Sequence, residues 1–147
     1  MTPLFRAFVY AAMGLSLEVV FSTTLLSIAL GYRVTRRVDR KYAEGFVSLY
    51  MIPIHAVGVL LGFETVLGLI GSFPMVLRYA IWGIGFAATE AGFGFLIDKI
   101  LGFYPWDYYS KSRFRVFERG YTLWTLIPLW GMYGLFCEVI ARTLGVP

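Results

Sequence analysis

The sequence predicts an all-α polytopic membrane protein, with four transmembrane helices arranged as two tandem two-helix repeats. Three observations predict it. Four long apolar runs fill most of the chain. Charge is scarce and gathers in two connections. A carboxylate set inside the first run, in Gly14-Leu15-Ser16-Leu17-Glu18-Val19-Val20-Phe21, has counterparts near Glu90 and Glu138.

The composition leaves little room for another class. Of 147 residues, 59% are hydrophobic and 15% charged, and the mean hydropathy is +0.71. A soluble domain carries about 25% charged residues. The chain is one domain's worth of apolar sequence, so a single transmembrane domain over residues 1–147 is expected. The net charge of +4 reads as a determinant of orientation, and a nucleic-acid partner is not expected. One Cys, Cys137, cannot form an intrachain disulfide. One Cys with one His makes no zinc, haem or iron–sulfur site, so no cofactor or metal is expected. The first apolar run is too long for a signal-peptide core and lacks a small-residue cleavage site, so no cleavable leader is expected.

A spanning helix needs about 20 mostly apolar residues. Residues 4–32, 46–70, 73–101 and 121–145 qualify. The second and third runs are joined by the tight hairpin Gly71-Ser72-Phe73-Pro74. The other two connections are basic: Arg33, Arg36, Arg37, Arg40 and Lys41 in the first, and Lys99, Lys111, Arg113, Arg115 and Arg119 in the other. The positive-inside rule then places loops 33–45 and 98–120 in the cytoplasm and both termini outside, in the cell (inner) membrane.

The repeat emerges when the halves are overlaid. With an offset of 72, Arg6 falls on Arg78, Tyr10 on Trp82, Glu18 on Glu90 and Tyr32 on Tyr104. With an offset of 75, Arg40 falls on Arg115, Tyr42 on Phe117, Gly45 on Gly120, Phe46 on Tyr121, Pro53 on Pro128 and His55 on Trp130. Two units, about 1–72 and about 73–147, with two spans each would be parallel repeats. Small residues also recur at helical spacing: Ala11, Gly14 and Ser22 beside Glu18; Gly83, Ala87 and Gly94 beside Glu90; Gly131 and Gly134 beside Glu138; and Gly58 with Gly62 in the second run. Small faces let membrane helices approach, and in three runs they turn the glutamate into the protein.

Glu18, Glu90, Glu64, Glu138 and His55 are the candidates for an intramembrane polar site. A charge at bilayer centre costs about 2.5–3.5 kcal/mol on insertion scales. The functional reading is a proton or cation pathway, or a cavity for a headgroup. The structural reading is interhelical hydrogen bonding. Glu138 has Arg142 one turn on, whereas Glu64 has no partner that the sequence names. Arg6 and Arg78 precede Glu18 and Glu90 by about 18 Å of helix, too far to pair with them, and read as snorkelling anchors. Pro53 and Pro128, one or two turns inside their runs, read as kinks that either shape packing or open a midplane site. Tyr104-Pro105-Trp106-Asp107-Tyr108-Tyr109 reads as an interfacial aromatic belt, with Asp107 capping a short helix, bonding an indole or facing a headgroup.

Residues 10–21, Tyr10-Ala11-Ala12-Met13-Gly14-Leu15-Ser16-Leu17-Glu18-Val19-Val20-Phe21, together with Pro105-Trp106-Asp107-Tyr108 and the late Pro128, Gly134 and Glu138, resemble the transmembrane protein 229 family. That family is grouped with bacterial proteins named as ABC-transporter permeases. The resemblance covers nearly the whole chain. Relatives often carry Pro-hydrophobic-Tyr-Gly in the second helix; Pro53-Ile54-His55-Ala56 stands here instead. The resemblance implies a small polytopic membrane protein, and the permease name implies a separate ATPase subunit, since the chain has no Walker motif.

Three functions follow as expectations. The first is a transporter, permease or channel-like component, built as a homo-oligomer or with a partner membrane subunit because four helices wall few pathways. The second is a lipid-handling protein or enzyme addressing an anionic headgroup through Asp107, Arg113 and Arg115. No nucleophile–base pair is visible for catalysis. The third is a scaffold or assembly factor in which the glutamates only hold helices together.

Overall fold

A computed structural model of the chain describes residues 1–34 and 45–146. Among them the fold is all-helical. Helix α1 spans Pro3–Thr24, α2 Leu26–Leu30, α3 Met51–Pro53 and α4 Glu64–Ile70. A π-helical segment, Ile54–Phe63, joins α3 to α4 without a break. Helix α5 spans Met75–Leu101 and α6 spans Ile127–Thr143. Short 3₁₀ turns occupy Asp107–Lys111 and Trp124–Leu126. Among the described residues the one strand-like pairing is an isolated antiparallel bridge between Arg115 and Leu123. The basic residues Arg36, Arg37, Arg40 and Lys41, and the repeat matches at Arg40 and Tyr42, lie outside the described residues.

Four helical stretches are long and apolar enough to cross a membrane: Pro3–Thr24, Met51–Ile70, Met75–Leu101 and Trp124–Thr143. Their outward residues are large and apolar. Leu4, Phe8, Leu69, Val76 and Ile100 are 68–82% exposed. In water such a surface drives association; against lipid tails it carries no cost. This is an integral membrane architecture.

The ends of the helices follow from the sequence. Thr2 caps α1, its hydroxyl accepting from the Phe5 N–H at 3.3 Å with Pro3 at the first position, as capping and proline preferences require. Helix α5 stops where Gly102 enters the left-handed region at φ 76° and its N–H closes on the Asp98 carbonyl, the usual glycine termination. Two expectations are corrected. The first run is not one helix over 4–32: it breaks at Leu25, continues as α2 and ends at Gly31, φ 72°. Glu18 therefore lies about 9 Å from the end of α1 and not at its centre. The prolines are not interior kinks either. Pro53 is the third residue of α3 and Pro128 the second of α6, in first turns whose N–H groups lack helical acceptors anyway.

The chain divides into two compact units. The first comprises Met1–Leu26, Val34–Ser72 and Glu138–Pro147; the second comprises Ser27–Arg33 and Phe73–Cys137. In the first, α1 packs on α3 and the π-helical segment. The buried residues His55, Val59, Phe63 and Leu67 form a stripe at every fourth position. In the second, α5 meets α6 through Trp82, Phe86, Trp130 and Tyr133, whose rings lie 5.4–5.8 Å apart.

Candidate functional site

In the first unit the polar contacts form three levels along α1. Near its start, Arg6 donates to both Glu64 oxygens, Nε to Oε1 at 2.9 Å and Nη2 to Oε2 at 3.0 Å, and the Tyr10 hydroxyl adds a bond to Oε1 at 2.9 Å. Glu64 thus has a partner, and Arg6 is an ion-pair residue as well as an end-of-helix cation. A bidentate guanidinium–carboxylate pair fixes orientation as well as distance. Nearer the other end, Glu18 Oε1 lies 2.8 Å from His55 Nε2. The His55 side chain is 8% exposed and that of Glu18 25%. Beyond it, the Phe46 N–H donates to Ser22 Oγ at 2.8 Å.

The middle level exists because of Gly14. A Cβ there would sit 2.3 Å from His55 Cγ. The missing side chain is the space the imidazole fills, one helical turn before the glutamate it meets. The π-helical segment carries His55 on its buried stripe. Its i→i+5 bonding is visible where the Glu64 N–H reaches the Val59 carbonyl. Such wide turns are rare and concentrate at functional positions.

In the second unit Glu90 Oε2 accepts from Thr122 Oγ1 at 2.5 Å and from Trp130 Nε1 at 3.3 Å. Glu90 and Trp130 are the residues that the sequence overlay sets against Glu18 and His55. Phe86, which the overlay sets against Gly14, has its ring centroid 5.8 Å from that of Trp130. Glu138 is buried, with Arg142 Nη2 at 3.8 Å. The small faces of α5 and α6 are turned inward: Gly83 meets Ile127, Gly94 meets Tyr121 and Trp106, Gly131 meets Tyr79 and Gly134 meets Trp82. Gly58 and Gly62 are not: a Cβ at either has nothing within 4 Å.

The aromatic segment after α5 packs into the protein. Tyr104, Trp106 and Tyr109 are buried. Trp106 Nε1 donates to the Tyr121 carbonyl at 2.8 Å, and the Tyr104 hydroxyl donates to the Arg119 carbonyl. These rings form the core of the 102–123 connection. Burial, with the Asp107 charge nearby, pushes the Tyr104 phenol up to about 12, and the same two causes raise Tyr32. Asp107 opens the 3₁₀ turn, its carbonyl accepting from Ser110 Oγ at 2.6 Å. The Tyr108 carbonyl accepts from the Tyr32 hydroxyl at 2.7 Å. Arg113 stacks on the Phe114 ring at 4.7 Å. Arg115 donates to the Ser110 and Ser112 carbonyls, both at 3.3 Å.

One cluster went unread in the sequence. Asp98 accepts from Arg119 Nη2 at 2.8 Å and from the Tyr121 hydroxyl at 2.8 Å. The signal was available: Asp98 is the lone carboxylate in the last turn of a long apolar helix, facing a loop rich in arginine. Among the described residues no group of three metal-ligating side chains converges.

Fold and contacts define the class, a small all-α integral membrane protein in which Glu18, Glu64, Glu90 and Glu138 each have a partner within the chain. No family model, curated protein or solved structure matches the sequence.

Proposed function

We propose that the protein is a small membrane transport component whose protonatable centre is the Glu18–His55 pair. The observation that carries this reading is the 2.8 Å contact between two titratable side chains inside a span, with a quarter of the Glu18 side chain still accessible. An ionisable residue in a membrane helix marks a proton or ion pathway by default, and histidine with a carboxylate exchanges a proton near neutral pH. The π-helical segment and Gly14 support it, since both serve to bring this one ring to this one carboxylate. The motif resemblance to the transmembrane protein 229 family agrees with a polytopic membrane component and adds no substrate. On this reading a homo-oligomer or a second membrane subunit supplies further walls for the path, with the 98–120 loop on the cytoplasmic side.

The test is proton flux into liposomes loaded with a pH-sensitive dye, driven by a potassium diffusion potential. Wild-type protein is expected to acidify the lumen faster than protein-free vesicles do. Glu18→Gln and His55→Phe should fall to that baseline, and Glu90→Gln should retain most of the flux. Wild-type flux equal to that of empty vesicles, or full flux in Glu18→Gln, refutes the proposal.

A scaffold is the second reading, favoured by one fact: Glu18, Glu64, Glu90 and Glu138 each have a partner within the chain. It predicts that Glu18→Gln lowers thermal stability while no variant changes flux.

A further inference from the structure

The second unit carries a groove that the polar pairs do not use. One wall is the α5 face from Ile84 to Phe95, floored by Ala88 and Gly92; the facing wall includes Phe117 and Trp124. Its volume is about 720 Å³, within the range of small-molecule sites. The lining is almost wholly apolar. The hydroxyls of Tyr121 and Thr122, which also border it, are already bonded to Asp98 and Glu90. The groove therefore offers mainly apolar contact.

Length and charge decide what fits. Ile84 to Phe95 is about 16 Å of helix, about half of a 30 Å hydrocarbon core and so one leaflet deep. Lys99 follows Phe95 by one turn on the same face, its Nζ 5.7 Å from the centre of the Phe95 ring. Its ammonium forms no ion pair among the described residues, with Glu118 of the loop or any other carboxylate. The neighbouring Asp98 is neutralised by Arg119. The groove therefore ends at an exposed cation outside any ion pair among the described residues, about 6 Å beyond its last apolar residue, where a headgroup sits.

We propose that this groove holds one acyl chain of an anionic glycerophospholipid, with its phosphate at Lys99. The helix face is small where the chain lies and aromatic at the mouth, so the lipid is held in the protein outline and not merely around it. A juxtamembrane lysine facing anionic lipid adds further attraction. This binding is independent of the Glu18–His55 reading.

The full chain is reconstituted in phosphatidylcholine vesicles doped with either chain-spin-labelled phosphatidylglycerol or chain-spin-labelled phosphatidylcholine. The motionally restricted fraction is read by electron paramagnetic resonance. Wild type is expected to restrict the phosphatidylglycerol label several-fold more strongly. Gly92→Leu fills the groove from an open position, because a Cβ there meets nothing within 4 Å; it should abolish the preference and remove about one restricted lipid per chain. Ala88→Phe, a second filling variant at an exposed position, should do the same. Lys99→Gln should keep the restricted chain and equalise the two lipids. Equal restriction of both labels in wild type means annular lipid only and overturns the proposal. So does a wild-type response from both filling variants, and a preference that survives Lys99→Gln overturns the headgroup assignment.

Discussion

Gly14→Ala is the sharpest perturbation of the structure. Its Cβ would stand 2.3 Å from Cγ, 2.4 Å from Nδ1 and 2.6 Å from Cδ2 of His55, where ordinary contact begins at 3.4 Å. The imidazole must retreat by about 1 Å. The 2.8 Å contact with Glu18 then lengthens past hydrogen-bond range. Overpacking costs about 1–3 kcal/mol, and an interhelical hydrogen bond in a membrane contributes about 0.6–1.7 kcal/mol. Replacing a helical glycine by alanine returns about 1 kcal/mol. The net expectation is a loss of about 2 kcal/mol. Reversible unfolding in mixed detergent micelles measures it, and a double-mutant cycle with His55→Ala isolates the cause. Without the ring there is nothing to displace, so Gly14→Ala should become stabilising by about 1 kcal/mol. A coupling below about 0.5 kcal/mol, or equal costs in the two backgrounds, refutes the packing of His55 into Gly14.

The remaining predictions use the same unfolding assay unless stated. Arg6→Ala breaks the bidentate pair with Glu64 and should cost about 1.5–3 kcal/mol, whereas Arg142→Ala, 61% exposed and 3.8 Å from its carboxylate, should cost about 0–1 kcal/mol; the reverse ranking would contradict the geometry. Gly58→Ala and Gly62→Ala, with open space at each Cβ, should leave stability unchanged or raise it, while Gly83→Ala, whose Cβ would lie 2.7 Å from the Ile127 carbonyl oxygen, should lower it by about 1–3 kcal/mol; equal effects at the three sites would place the helix faces wrongly. Tyr104 is raised from 10.0 to about 12 by burial and the Asp107 charge, so the fold favours its neutral phenol. That contribution is complete below pH 10 and is lost as pH climbs through about 12. An ultraviolet titration of wild type minus Tyr104→Phe should show one late-ionising phenol, and a difference band centred near pH 10 would refute it.

Much of the fold was legible because the bilayer simplifies the problem. Runs of twenty apolar residues and their polar connections depend on length and composition alone, and the four spans follow from them. The inward glycines at 14, 83, 94, 131 and 134 were legible too, since each shares a helical face with a carboxylate. The partners were harder to read. That Arg6 meets Glu64 depends on the two spans running antiparallel with matched depth. A residue near the start of one span and one in the later half of the next then share a level. The same reasoning, applied to sequence, would have named Glu64's partner. Gly58 and Gly62 were misread because glycine spacing reports a face without saying what lies opposite, and here the buried stripe runs through His55, Val59, Phe63 and Leu67 instead. The packing of the aromatic segment was hidden for a related reason: Trp and Tyr suit an interface, but their polar atoms equally suit the carbonyls of a folded connection, as Trp106 shows with Tyr121.

The two glutamates that the sequence overlay sets against each other meet different partners. Each lies within hydrogen-bond distance of a ring nitrogen on another span, His55 Nε2 at 2.8 Å from Glu18 and Trp130 Nε1 at 3.3 Å from Glu90. The donors differ in kind. An indole N–H does not exchange its role with pH, and the Thr122 hydroxyl beside it holds the same Glu90 oxygen. That arrangement is a fixed clasp. An imidazole can give or take a proton on either nitrogen, so the Glu18 pair has an ionisable group on both sides where the Glu90 cluster has one only in its carboxyl. The difference lies in a few side chains: Gly14 where the second half has Phe86, and His55 where it has Trp130. A chain that needed only helix clasps could use the same aromatic solution twice. The glycine-and-histidine version costs helix propensity at position 14 and places a second titratable group in the membrane. His55→Trp in a Gly14 background, which converts the first pair toward the second, therefore separates the two readings. If the pair is a clasp, the variant folds and behaves as wild type in liposomes. If it is a protonatable centre, proton flux falls to that of empty vesicles while the helices remain intact by circular dichroism.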